Sequence, residues 1–134
     1  VGYSHYWIIA DPIEGEAWQK FRDGAEAIIQ IAHDAGIPVH NASDSESINF
    51  NGTGVAAHET FVISQGDAEF DFCKTAQKPY DTIVCAVLIH LKAVLGDGVL
   101  IKSDGKWDED WESAQLLYET TFDIQPENVL NGNT

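Results

Sequence analysis

The sequence predicts an α+β fold: a single layered domain with a mixed or mainly antiparallel sheet and about three helices. Three observations lead there. Three stretches, at about 11–35, 79–95 and 108–122, carry apolar residues at helical spacing. Several short segments between the first two alternate apolar and polar residues with a period of two. The resulting order, β-α-β-β-β-(β)-α-β-α, groups strands in the middle, which favours hairpins over the repeated crossovers of a doubly wound sheet. The length of 134 residues fits one domain. That domain is expected over residues 1–123, with 124–134 as a polar, mobile C-terminal tail.

Residues 5–10 (HYWIIA) are rich in β-branched and aromatic side chains and predict the first strand. The first helix is signalled by Asp11 as cap, Pro12 at the first helical position and Glu14 three residues after the cap. Trp18, Phe21, Ala25, Ile28 and Ala32 form its apolar stripe, and Gly36 and Pro38 end it. Residues 37–42 predict a short strand and 43–47 a polar loop. In 47–51, Ile48 and Phe50 alternate with Asn49 and Asn51, and Gly52-Thr53-Gly54 must turn. Residues 59–64 predict a strand with Phe61 and Ile63 inward. Residues 67–72 alternate again, with Ala68, Phe70 and Phe72 expected inward and Asp67, Glu69 and Asp71 outward. Pro79 can open a second helix that runs to Leu95 and is apolar nearly all round, hence buried. Residues 99–102 predict a strand, Asp104-Gly105 a turn, and 108–122 a third helix with Trp111, Ala114, Leu117, Tyr118 and Phe122 on its buried side.

Charge excludes several functions. Asp and Glu number 22 against 7 Lys and Arg, giving a net charge of −15 at pH 7, and Arg22 is the one arginine. Phosphate contacts need clustered cations, so neither DNA, RNA nor anionic lipid headgroups are expected as partners. Excess acid fits solubility, adaptation to high salt, or mimicry of nucleic-acid charge toward a basic protein partner. No apolar run reaches the length of a membrane span. Residues 1–13 lack a basic segment followed by an apolar one, so a cytoplasmic location with two free thiols is expected.

Polar groups with chemical potential gather in two stretches, 49–61 and 72–81. The second precedes a buried helix, whose N-terminus offers free N–H groups. Lys74 and Lys78 are two of six lysines in the chain, and they flank that entry. The reading drawn from this is a polar pocket between the 49–59 loop and the 73–81 helix entry. Asn49, Asn51, His58, Glu59, Lys74, Lys78, Tyr80 and Asp81 would hold a small polar or anionic ligand there. Two alternatives are carried. One is a transferase or hydrolase with His58 as base or Cys73 as nucleophile, since neighbouring lysines and a helix N-terminus favour a thiolate. The other is an acidic inhibitor or interaction protein for a basic partner. Cys85, on the apolar helix, is expected in the core. No His-x3-His, Cys-x2-Cys or HExxH spacing occurs, and neither a Walker loop nor GxGxxG, so no metal and no cofactor are expected.

The strings His58-Glu59-Thr60-Phe61, Phe72-Cys73-Lys74-Thr75, Lys78-Pro79-Tyr80-Asp81 and Ser103-Asp104-Gly105 resemble those of a group of small uncharacterised microbial and phage proteins. The resemblance covers residues 48–118. It implies that these strings belong together and carries over no activity.

Overall fold

Residues 2–131 are described in the computed structural model of the chain. Six strands and three helices form two antiparallel sheets and a helical layer. The first sheet has the order β5-β1-β6, from Glu69–Lys74, Ser4–Ile9 and Val99–Ser103. The second is β2-β3-β4, from His40–Asn41, Ser47–Asn51 and Phe61–Ser64. The α+β class therefore holds, with two small sheets in place of one and no parallel pairing between named strands.

The helices are α1 (Gly15–Asp34), α2 (Asp81–Leu95) and α3 (Glu112–Phe122). The whole predicted stripe of α1 is buried, Trp18, Phe21, Ala25, Ile28 and Ala32 included. Its start differs from the Asp11–Pro12 signal. Ile13 is buried, its N–H donates to the Asp67 carbonyl (3.3 Å), and its carbonyl accepts from Gly66 N–H (2.8 Å). Those bonds hold residues before Gly15 as a link fastened to the 66–67 turn, so the first helical turn forms later. Every residue of α2 from Ile83 to Leu91 is buried, as its apolar circumference requires. It packs between α1 and α3 and against β6. Ile48, Phe50, Phe61 and Ile63 point inward from the second sheet, and Trp7 joins the two sheets through Phe61, with ring centroids 5.2 Å apart.

Two expectations are corrected. In β5, Asp71 lies opposite Trp7 and Cys73 opposite His5. Trp7, Cys73 and His5 are buried, so the odd positions of β5 face inward and Phe70 and Phe72 face out. As an edge strand, β5 lets Glu69 and Asp71 reach solvent from the inner side. The second correction concerns the C-terminal segment. Val129 and Leu130 are buried, Leu130 bridges Ile101 in parallel, and Asn131 N–H donates to the Ile101 carbonyl (2.7 Å). Residues up to 131 thus dock on the edge of β6, while 132–134 lie outside the described residues.

Candidate functional site

The 49–59 and 73–81 segments meet. His58 Nδ1 bonds the Lys74 carbonyl at 2.8 Å, Glu59 N–H donates to that same carbonyl at 3.2 Å, and Lys74 N–H donates to Glu59 Oε1 at 3.0 Å. The Tyr80 hydroxyl and the Cys73 thiol both donate to the Glu59 carbonyl. These contacts are mostly to backbone. Asn51 turns inward on its own loop: Nδ2 donates to the His58 carbonyl (3.0 Å) and Thr60 Oγ1 (3.1 Å), while Oδ1 accepts from Gly52 N–H (2.7 Å) and His58 N–H (3.1 Å). Asn49, half-buried in β3, holds the 42–43 corner through its backbone. Lys74 places its Nζ over the Phe72 ring, 5.9 Å from the centroid. Neither Lys74 nor Lys78 forms an ion pair among the described residues.

Cys73 is fully buried, and burial together with the Glu59 carboxylate pushes its thiol up to about 12. At neutral pH it is a thiol, the wrong form for attack.

Asp81 belongs to a second cluster that the linear spacing hides. His5 Nε2 donates to Asp81 Oδ1 at 2.6 Å, Thr75 Oγ1 donates to the same oxygen at 2.6 Å, and Cys85 Sγ lies 3.4 Å from His5 Nε2 and 3.8 Å from Asp81 Oδ2. On the far side of the ring, His5 Nδ1 meets Ser103 Oγ at 2.8 Å, and Ser103 Oγ also accepts from Trp111 Nε1 (3.0 Å) and Gly105 N–H (2.9 Å). His5, Thr75 and Cys85 are buried; Asp81 is half-buried. The loop leading in holds Ala76 and Gln77 in the left-handed region, at φ of 53° and 55°.

The other prominent feature is a surface. On the outer side of β5-β1-β6, Phe72, Tyr6 and Lys102 form one cross-strand row, and Phe70, Ile8 and Leu100 form the next. Phe70, Ile8, Leu100 and Phe72 are 58%, 44%, 43% and 41% exposed, high values for large apolar side chains. Tyr6, Ile8, Phe70, Leu100 and Lys102 line a shallow groove of about 380 Å³ on this face.

No family model, curated protein or solved structure matches this chain. Its function is therefore argued from the geometry alone.

Proposed function

We propose that this chain is an acidic protein-interaction domain that receives a positively charged partner protein on the open face of β5-β1-β6. The observation that carries the reading is the row pair Phe72-Tyr6 and Phe70-Ile8-Leu100, a contiguous apolar surface on a chain otherwise rich in charge. Its groove has the size to seat one apolar anchor side chain, the usual centre of an interface. Asp104, at the end of β6, accepts from the Tyr6 hydroxyl beside the face, which also carries Lys74 and Lys102. A net charge of −15 steers a cationic partner toward the molecule, and the apolar rows then hold it.

The small-ligand reading keeps two supports, the meeting of the two segments and the two lysines without ion pairs among the described residues. Against it, Asn51, His58, Glu59 and Tyr80 spend their polar atoms on each other and on backbone. Against the transferase or hydrolase reading, with Cys73 as nucleophile or His58 as base, stands the burial that raises the Cys73 thiol.

A photo-crosslinking residue placed at position 70, with one at Leu116 as an exposed apolar control on α3, tests the proposal in cells that make the chain. The expected result is an adduct from position 70 alone with a protein of net positive charge. The purified pair is expected to bind more weakly as salt rises, and Phe70→Ser to reduce affinity at least about tenfold. Equal adducts from both positions, no adduct, or an adduct with a second copy of the chain would each overturn it.

A further inference from the structure

The cluster at the start of α2 supports a metal site built from residues far apart in sequence. We infer that His5 Nε2, the Asp81 carboxylate and Cys85 Sγ form a three-ligand site for a divalent transition ion of zinc type. Their ligand atoms all lie within 4.8 Å of one another. Imidazole, carboxylate and thiolate are the three ligand types that zinc accepts, and tetrahedral zinc bond lengths place ligand atoms about 3.3–3.6 Å apart. The Nε2–Sγ separation of 3.4 Å falls in that range, and the Sγ–Oδ2 separation of 3.8 Å is slightly wide. The Nε2–Oδ1 separation of 2.6 Å is a hydrogen bond and must open by about 0.7 Å to admit the ion. Thr75 Oγ1, on Asp81 Oδ1, and Ser103 Oγ, on His5 Nδ1, supply the outer contacts that orient metal ligands. The fourth position is left to water or the Thr75 hydroxyl, and Asp81, with 13% of its side chain exposed, provides the way in.

Loading has a defined proton balance. The Cys85 thiol loses its proton to solvent as the sulfur–metal bond forms. The proton that His5 Nε2 shares with Asp81 in the unloaded chain leaves that nitrogen as the nitrogen–metal bond forms. Because the unloaded network already satisfies His5 and Asp81, this rearrangement opposes binding, and the site is expected to hold metal more weakly than a closed structural zinc site.

The test uses the full chain, stripped with chelator and titrated with Co²⁺, which takes the same ligands and is coloured. The expected result is a thiolate-to-cobalt charge-transfer band that saturates at one ion per chain and is displaced by Zn²⁺. The band is lost in Cys85→Ala and kept in Cys73→Ala. Nitrogen NMR of His5 is expected to show Nε2 carrying a proton in the stripped chain and carrying the metal, without a proton, in the zinc-loaded chain. This readout uses the unmodified protein and decides the matter if Cys85→Ala fails to fold. No band at millimolar Co²⁺, a band that survives Cys85→Ala, or a His5 Nε2 signal unchanged by zinc would overturn the assignment.

Discussion

His90 lies between two aromatic rings, Phe21 and Phe122, with centroids 6.0 and 5.0 Å away and both ring planes tilted by 16°. Its Nε2 donates to the Lys20 carbonyl at 3.1 Å, and its Nδ1 is buried without a partner among the described residues. The position exists because residue 24 is glycine: a Cβ there would fall 2.0 Å from His90 Nε2. Gly24→Ala is therefore expected to destabilise the chain by about 1–3 kcal/mol in urea unfolding, the range for an overpacked core. Burial holds the His90 pKa below its ordinary value. The neutral ring is the folded form, so its contribution is complete above about pH 6.5, the unfolded value, and is lost as pH falls below it. Unfolding curves at successive pH values are expected to show this acid loss, and His90→Phe to reduce it. At Cys73 the raised thiol gives a different expectation. Native protein at neutral pH is expected to resist alkylation at both cysteines, with labelling by mass spectrometry rising only as the chain unfolds. Selective labelling of Cys73 in the folded chain would restore the nucleophile reading.

Among the elements, α1 and α2 were legible because a helix stripe is read over many residues, and packing agrees with it at Trp18, Phe21, Ala25, Ile28 and Ala32. β3 and β4 were legible for a similar reason, since Ile48, Phe50, Phe61 and Ile63 all prefer the same side. β5 was not. Its alternation of acids and aromatics fits either face, and a slip of one residue exchanges them. The choice was made by long-range pairing with β1, which buries Cys73 opposite His5. The candidate site divides in the same way. Polar residues around turns pointed to the meeting of the 49–59 and 73–81 segments. The His5–Asp81–Cys85 cluster needs β1 beside the start of α2, and no local spacing encodes that. The element-scale prediction concerns β5. Phe70→Ser is expected to change stability by less than about 1 kcal/mol, because its ring is exposed. Phe61→Ala, fully buried, is expected to lose about 3–5 kcal/mol.

Across the whole molecule, charge sets the conditions under which the fold and its surface operate. With −15 on 134 residues, like charges repel in the folded state, and added salt screens them. Tm is expected to rise as salt goes from about 0.01 M to about 0.15 M, the opposite direction to the salt response of partner binding. Both edges of the first sheet are blunted. On β5 the Asp71 carboxylate accepts from Phe72 N–H (2.8 Å), and on β6 the segment at Leu130 and Asn131 pairs with Ile101. The proposed partner surface is the apolar face between those edges. Hydroxyl-radical footprinting of the dilute monomer tests that claim most directly, because it reads the side of β5 on which each phenylalanine lies. The account predicts rapid modification of Phe70 and Phe72 and protection of Phe50 and Phe61. Protection of Phe70 and Phe72 to the level of Phe50 and Phe61 would place them in the core and remove the open face.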